Sequence, residues 1–190
     1  MVLLALSCSP HLYSDATLET GSYDNGWELP EYSWSHTSPP GTLQGEGCKA
    51  GEVLDDHRAL DQHGDEVSLW QFYGSCMLVD ISTMWCGPCR TLAETFQETA
   101  DSYPEVQFVS VLPEDDFGDP ASVTKLGEWA DFYDIDAPVL NDDAGWHRCS
   151  VPEDSYPAVL IVGPDMQVLD AGVTPANEAT IKGRIEELCY

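Results

Sequence analysis

The sequence predicts an α/β protein in which helices flank a mixed central β-sheet. From about Gly45 onward, short apolar runs typical of strands alternate with segments that have the period of amphipathic helices. The chain then finishes with a predicted hairpin and a last helix. Strands that lie between helices and are followed by an antiparallel hairpin imply a sheet with both parallel and antiparallel pairs.

The first elements of this domain are a hairpin, a buried strand and a helix. Between residues 52 and 69, the turn sequence at 61–64 separates two short apolar stretches, as in a β-hairpin. Residues 77–81 form an apolar run interrupted by Asp80, which suits a buried central strand. A helix that ends before Pro104 is predicted by apolar residues at spacings of three and four. These residues are Cys89, Leu92, Ala93, Phe96, Ala100 and Tyr103.

A strand at 106–112 and a second helix follow. Asp119 is a predicted N-cap and Pro120 a predicted first helical residue. The apolar face of this helix consists of Val123, Leu126, Trp129, Ala130 and Tyr133. This pattern predicts a second helix after the strand at 106–112.

The last elements are a hairpin and a helix. Residues 158–162 and 166–171 flank a Gly-Pro-Asp turn, which predicts two antiparallel strands. We expect the final helix to begin at Thr174–Pro175. Its inward-facing residues are Ile181, Ile185 and Leu188.

The charge of the chain restricts its partners. Seven Lys and Arg residues stand against 34 Asp and Glu residues, which gives a formal net charge of −27. Binding to nucleic acid depends on basic patches, so this composition argues against a nucleic-acid partner. A hydrophobic fraction of 43% nevertheless indicates a folded chain, and 190 residues suffice for one domain and a tail.

The N-terminus is apolar over residues 1–8, a run too short to span a bilayer. Residues 5–8, Ala-Leu-Ser-Cys, are similar to the end of a bacterial lipoprotein signal, in which small residues precede a cysteine that becomes lipidated. This similarity predicts a clipped signal at 1–8, lipidation of Cys8 and a lipid-anchored protein on the periplasmic face of a bacterium. The alternative is a frayed apolar N-terminus that is not cleaved.

Residues 9–44 have the composition of a linker. Ser, Thr, Pro and Gly make up 17 of these 36 residues, with five acidic residues and no Lys or Arg. We therefore expect a flexible acidic linker before a domain at 45–190. The linker contains five aromatic residues: Tyr13, Tyr23, Trp27, Tyr32 and Trp34. These either dock on the domain or on a partner, or they lie scattered in a flexible arm. The scattered arrangement is the favoured interpretation.

The motif with a chemical meaning is Trp-Cys-Gly-Pro-Cys at 85–89, between the central strand and the helix after it. Two cysteines three residues apart in a first helical turn can close a disulfide. The unpaired N–H groups of a helix N-terminus favour a thiolate at Cys86, whose sulfur we expect to protrude. Cys89, one turn further in, could then attack a mixed disulfide and release the reduced partner.

This motif, together with Asp80 and a Tyr156–Pro157 pair that opens a later strand, resembles the thioredoxin superfamily. The early hairpin and the insertion near 113–145 resemble its extracytoplasmic TlpA/ResA-like branch, which is related to the redoxins of the AhpC/TSA group. The resemblance covers about residues 45–190. It implies a thioredoxin fold with an N-terminal hairpin extension and a helical insertion.

The resemblance also implies roles for individual residues. Cys86 would attack and Cys89 would resolve, while Asp80 would relay a proton to or from Cys89. Pro157 would be a cis-proline that faces the disulfide. A buried carboxylate resists ionisation, so it can exchange protons near neutral pH. The residues expected to contact a substrate are Trp85, Gly87, Pro88 and Tyr156.

Four further cysteines indicate the redox environment in which the protein works. An even number of cysteines, in a chain whose N-terminus is similar to an export signal, suggests structural disulfides. In the predicted fold, Cys76 at the start of the central strand and Cys189 at the end of the last helix lie at the same end. We therefore predict this pair and, by elimination, a Cys48–Cys149 pair. The alternative for either pair is two buried unpaired cysteines.

The sequence gives little support for a metal or a cofactor. Two cysteines separated by two residues can be half of a zinc site, but the only candidate completion is His147 with Cys149. We therefore predict neither a metal site nor a cofactor. The five histidines are predicted to be surface residues; they are His11, His36, His57, His63 and His147.

The leading hypothesis is a monomeric, membrane-tethered thiol-disulfide oxidoreductase that reduces disulfide-containing client proteins and is reduced again by a membrane electron donor. Gly-Pro between the cysteines resembles reducing members of the superfamily. A peroxiredoxin-like thiol peroxidase is an alternative, since Thr83 stands three residues before Cys86, although Val79 replaces the proline of that family. The third possibility is a non-enzymatic redox or metal chaperone lipoprotein.

Overall fold

The structure is a computed structural model that describes residues 34–151 and 155–190. The predictions for a signal at 1–8, for lipidation of Cys8 and for the linker at 9–33 concern positions outside the described residues, as does the prediction for His11. In the described ranges, no helix has the length and apolar content needed to span a lipid bilayer.

The seven strands form a small hairpin and a central sheet. In chain order they are β1 (Arg58–Leu60), β2 (Glu66–Ser68), β3 (Cys76–Ile81), β4 (Val106–Leu112), β5 (Val139–Asn141), β6 (Ala158–Val162) and β7 (Val168–Asp170). β1 and β2 pair antiparallel, and the others form one sheet in the order β5-β4-β3-β6-β7. β3, β4 and β5 are mutually parallel, whereas β6 and β7 run antiparallel to their neighbours. The predicted mixed sheet and N-terminal hairpin are confirmed.

The described part of the chain also contains three α-helices: α1 (Gly87–Ser102), α2 (Val123–Tyr133) and α3 (Glu178–Leu188). Two short 3₁₀ helices lie at Leu69–Phe72 and Trp146–Cys149. α1 agrees with its prediction. α2 and α3 begin three to four residues later than the sequence signals suggest.

The predicted start of α2 at Asp119–Pro120 is wrong because an acidic turn occupies that position. The carboxylate of Asp115 accepts hydrogen bonds from the backbone N–H groups of Phe117 and Asp119, at 2.8 and 3.1 Å. The N-cap of α2 is instead Ser122, whose side chain accepts from the Lys125 N–H. The N-cap is the residue whose side chain is free to accept a hydrogen bond from the first turn of the helix. Asp119 is not free in this way, because it is already part of the acidic turn.

The predicted start of α3 at Thr174–Pro175 is also wrong. The peptide bond between these residues is cis, and the helix begins at Glu178. Asn177 is the N-cap, since its side-chain oxygen accepts from the Thr180 N–H at 3.0 Å. Ile181 and Ile185 are buried, as expected from their spacing.

The apolar core lies on both faces of the sheet. On one face, Leu78 of β3 belongs to a cluster with Phe96 of α1 and Ile185 of α3. On the other face, Met77 packs in a cluster with Phe72 of the first 3₁₀ helix. Neighbouring residues of β3 therefore point to opposite faces, as in any strand.

The predicted linker boundary at residue 44 is wrong, because the segment from Trp34 packs on the domain. Trp34 is 1% exposed, and its indole N–H donates to the carboxylate of Asp61 at 2.8 Å. Ser35 donates to the side chain of Gln107, and the Thr37 N–H donates to the Gln71 carbonyl. The segment has no helical or strand period, so its attachment by one large ring and a few hydrogen bonds leaves no pattern in the sequence.

Two disulfides tie distant parts of the chain together. The structure joins Cys76 to Cys189 and Cys48 to Cys149, the same pairs that the sequence analysis names, with Cα–Cα distances of 5.8 and 5.9 Å. They close segments with sequence separations of 113 and 101 residues. Because cross-links over long loops restrict the unfolded chain, each can contribute about 4–5 kcal/mol in the chain-entropy account.

We expect Trp34→Ala to lower the free energy of unfolding by about 3–5 kcal/mol, because it removes a buried ring and leaves Asp61 without its indole donor. Urea unfolding of the oxidised protein measures this change. The control is Phe117→Ala, whose ring is 83% exposed and should matter by less than about 0.5 kcal/mol. Equal stability of Trp34→Ala and wild type would show that residues 34–44 are a linker after all.

Candidate redox site

The loop between β3 and α1 places the two cysteines. β3 is buried over its whole length, and the loop that follows is held to the neighbouring strand by backbone hydrogen bonds. The Ser82 N–H donates to the Val111 carbonyl at 3.0 Å, and the Met84 N–H donates to the Glu114 carbonyl at 3.1 Å. Cys86 then becomes the N-cap of α1, with Pro88 in the first turn.

Cys86 and Cys89 form a disulfide across this first turn, with a Cα–Cα distance of 5.3 Å. The Cys86 sulfur accepts a hydrogen bond from the Cys89 N–H at 3.3 Å. A backbone donor and the positive end of the helix dipole both favour negative charge on this sulfur when the disulfide is reduced.

Cys86 is less accessible than the sequence suggests. The residue is 5% exposed, so its sulfur does not protrude as expected, whereas Cys89 is 0% exposed. The N-cap conformation explains the difference, because it turns the Cys86 sulfur back toward the Cys89 N–H. Of the two residues, Cys86 is therefore the more exposed by a small margin.

Asp80 is a buried carboxyl group in β3, six residues before Cys86. It is 2% exposed, and burial raises its pKa from 3.8 to about 7. Hydrogen bonds from the hydroxyls of Ser82, at 2.8 Å, and Ser110, at 3.3 Å, oppose this shift without cancelling it. Asp80 follows Leu78 by two residues, so its side chain lies on the face of β3 that α1 covers.

The pair Tyr156–Pro157 lies beside the same loop. The peptide bond between them is cis, and β6 begins at the next residue. Ala158 pairs with Ile81 at the carboxyl end of β3, which places Pro157 next to the start of the redox loop. The rings of Tyr156 and Trp85 meet edge to face, with their centroids 5.9 Å apart.

Two residues that the sequence analysis did not name hold the redox loop. Glu114 accepts a hydrogen bond from the indole N–H of Trp85 at 2.7 Å, and the Arg90 guanidinium donates to the Met84 carbonyl at 2.6 Å. The carboxyl ends of parallel strands meet at one edge of a sheet. Since β3 and β4 are such neighbours, this rule could have drawn attention to Glu114.

The prediction that the histidines are surface residues holds for His63 and is wrong for His57 and His147. His57 is 2% exposed, and burial lowers its pKa. Its ring nitrogen lies 3.0 Å from the Asn141 carbonyl oxygen. The ring of His147 is 2.5 Å from the Asp142 carboxylate and lies near Tyr156, with a centroid distance of 6.3 Å.

These histidines do not build a metal site. Within residues 34–151 and 155–190, no group of three or more His, Cys, Asp or Glu side chains is arranged to hold a metal ion. Cys149, which the sequence offered beside His147 as a ligand, is bonded to Cys48.

Comparison with known proteins agrees with the geometry. Residues 68–122, which include β3, the redox loop and α1, match the family model described as Thioredoxin. Thioredoxin H5 of Oryza sativa subsp. japonica is 32% identical over 34% of this chain and 58% of its own length. An H-type thioredoxin of Oryza sativa subsp. indica is 33% identical over 47% and 65%. The chain thus spans less than two thirds of these curated relatives.

Solved structures described as thiol-disulfide oxidoreductases share the fold. A secreted Mycobacterium tuberculosis disulfide oxidoreductase homologous to E. coli DsbE superimposes with a TM-score of 0.57 at 23% identity, over 70% of this chain and 96% of that one. A thiol:disulfide interchange protein DsbE from Chlorobium tepidum gives 0.59 at 19% identity, over 76% and 98%. The protein therefore has the thioredoxin fold. The segment that matches the Thioredoxin model, residues 68–122, carries the Cys86–Cys89 motif.

The raised pKa of Asp80 predicts how stability changes with pH. The folded carboxyl group binds a proton more tightly than the unfolded one, so its contribution to stability falls as pH rises from about 4 to about 7. Relative to Asp80→Asn, the wild-type protein should lose roughly 3–4 kcal/mol across this range.

Urea unfolding of both oxidised proteins at pH 4, 5.5 and 8 measures this difference. Asp131→Asn, which changes an exposed carboxylate, is the matched control. A constant difference between wild type and Asp80→Asn at all three pH values would contradict a raised pKa.

Proposed function

We propose that this protein is a thiol-disulfide oxidoreductase that exchanges electrons between its Cys86–Cys89 pair and disulfides of client proteins. The observation that carries the proposal is the disulfide across the first turn of α1, in which Cys86 is 5% exposed and Cys89 is fully enclosed. The Thioredoxin match and the structural neighbours described as disulfide oxidoreductases support the same chemistry.

In the reducing direction, the reaction has two displacement steps. The Cys86 thiolate attacks one sulfur of the client disulfide, so a mixed disulfide forms and the first client thiolate leaves. Cys89 then loses its proton and attacks the Cys86 sulfur, which releases the second client thiolate. The client gains two electrons and, on protonation, two thiols, while Cys86 and Cys89 become a disulfide.

Asp80 is the group that we assign to the proton of Cys89. Its pKa of about 7 means that both its protonated and ionised forms exist near neutral pH, so it can accept or return a proton. Its side chain lies on the face of β3 that α1 covers and is 2% exposed, which supports this role because water has little access there. Ser82 and Ser110 orient the carboxyl group.

Client binding uses the surface around Cys86. Trp85 is 45% exposed, and a side chain added at Gly87 would meet no atom within 4 Å, so the N-terminal turn of α1 has open space in front of it. Pro88 belongs to this turn. The backbone of Tyr156 beside Pro157 can pair with an extended client segment, as in recognition by an added strand.

We place this activity outside the cytoplasm, as a monomer. Two disulfides apart from the redox pair fit an oxidising compartment, and a secreted bacterial protein is among the structural neighbours. A reductase in such a compartment needs a donor that restores the dithiol, and a membrane electron donor would supply it. Lipidation at Cys8 would keep the domain near that donor.

Reduction of insulin disulfides with dithiothreitol as the final reductant tests the activity. We expect Cys86→Ser to lower the rate to that of dithiothreitol alone, because it removes the thiol that we assign to the attack. Cys89→Ser retains the attack but not the release, so a covalent adduct with insulin should accumulate on non-reducing gels. Cys8→Ser is the matched control and should reduce insulin as the wild type does. Full activity of Cys86→Ser would overturn the proposal.

The direction of exchange is tested by equilibrium with mixtures of reduced and oxidised glutathione. We expect half-reduction of Cys86–Cys89 at a potential more negative than about −200 mV, on the reducing side of protein oxidants. A strong oxidant owes its potential to a stabilised dithiol state. The cation nearest to the two cysteines in the sequence is Arg90, and its guanidinium is paired with Asp116 at 3.2 Å instead of stabilising a thiolate. A strongly oxidising potential would reverse the direction and keep the enzyme class.

A further inference from the structure

We propose that a groove between α1 and α2 binds a client segment in which an apolar side chain stands beside a Lys or Arg. This inference rests on the proposed function, since the groove would select which disulfides reach Cys86. The groove encloses a cavity of about 480 Å³. Its lining includes Arg90 and Glu94 of α1, and Glu128, Trp129, Phe132 and Tyr133 of α2.

The groove adjoins the redox loop directly. Arg90 is the residue after Cys89, and its guanidinium holds the carbonyl of Met84, which precedes Trp85. Both Arg90 and Met84 line the groove. A segment that occupies it is therefore a few residues of extended chain away from the sulfur of Cys86.

The side of the groove formed by α2 is aromatic. Trp129 is 6% exposed and packs on Tyr133 with a ring distance of 4.6 Å, and Tyr133 in turn contacts Phe132 at 4.8 Å. Phe132 itself is 77% exposed, although it belongs to a continuous row of rings. An apolar client side chain placed against the Phe132 ring would remove the apolar surface of that ring from water. A cavity of this volume has room for one or two side chains.

The rim of the groove is acidic. Asp116 contacts both Arg90 and Lys125, at 3.2 and 3.4 Å, and Glu128 contacts Lys125 at 2.8 Å. Glu94 has no ion pair among the residues that the structure describes. Three carboxylates thus face two cations, so the rim retains a negative charge that a Lys or Arg of the client can neutralise.

The charge of the rim also favours one kind of binding partner for the groove over the others. A second copy of this chain would bring another net charge of −27 against an acidic rim, and a membrane of anionic lipids would be repelled as well. A basic client segment is instead attracted over a range set by ionic strength. The occupant that fits both the aromatic wall and the rim is therefore an apolar and basic polypeptide segment.

The test uses the full-length protein and three peptides of equal length, each with one internal disulfide. They differ in the two residues before the first cysteine: Phe-Lys, Phe-Glu or Ser-Lys. We expect kcat/KM for the Phe-Lys peptide to exceed that for the other two by roughly 3–10-fold at low ionic strength. The advantage over the Phe-Glu peptide should shrink in 0.5 M salt, because the charged contact is near the surface.

Two variants assign the preference to the groove. Phe132→Ser should remove the advantage of the Phe-Lys over the Ser-Lys peptide, and Glu94→Gln should reduce its advantage over the Phe-Glu peptide. Each rate is divided by the rate with hydroxyethyl disulfide, a probe too small to reach the groove from Cys86. Tyr190→Ser is the matched control, since this ring is 70% exposed and lies next to Cys189, at the other end of β3 from the redox loop.

The outcomes separate the two proposals. If the wild type reduces hydroxyethyl disulfide and all three peptides with equal kcat/KM, or if the variants keep the full preference, the groove inference is overturned and the oxidoreductase activity stands. If the wild type reduces none of the disulfides, the proposed function fails, and the inference fails with it. A wild-type dimer that Phe132→Ser converts to a monomer in sedimentation would assign the groove to a second copy and contradict a client site.

Discussion

β3 is hydrogen-bonded to a neighbouring strand on each of its edges, and the position of the redox loop follows from this pairing. β3 lies between β4 and β6, and all six of its residues are buried. Its carboxyl end is therefore fixed, and the loop that begins there can present Cys86 at the start of α1 in one orientation. The parallel neighbour supplies Ser110 and Glu114 at this edge, while the antiparallel neighbour supplies Pro157. The candidate site is thus assembled by strand adjacency.

The burial of the Asp80 carboxyl group within this sheet lowers the stability of the fold. A carboxyl group in the middle of a buried strand loses its hydration, and two serine hydroxyls only partly replace the water. A group of this kind is costly to the fold and useful for proton exchange, which is why strongly shifted pKa values concentrate at functional sites. The same burial that encloses Cys89 also raises the pKa of Asp80, so the thiol and the carboxyl group that we propose as its proton acceptor are both shielded from water.

The additions to the sheet have separate consequences. The segment from Trp34 and the hairpin of β1 and β2 belong to the cluster that covers the face of the sheet away from α1, and the Cys48–Cys149 disulfide ties this layer to the 3₁₀ helix at Trp146–Cys149. The insertion also contributes α2, which packs on the same face as α1. Because α2 leaves Phe132 exposed beside Arg90, the insertion shapes the surface next to the redox loop without supplying a reacting group.

The sequence by itself determined the strand and helix order, the redox motif and the buried carboxyl position, since periodicity and the spacing of Asp80 and Cys86 are local properties of the chain. Cysteine parity and the ends of β3 and α3 further sufficed to name both disulfide pairs. Tertiary structure alone decided that Trp34 belongs to the core, that His57 is buried, and that Glu114 and Arg90 hold the redox loop. It also decided how far the Cys86 sulfur is covered. These features depend on contacts between residues far apart in sequence, which no local pattern encodes.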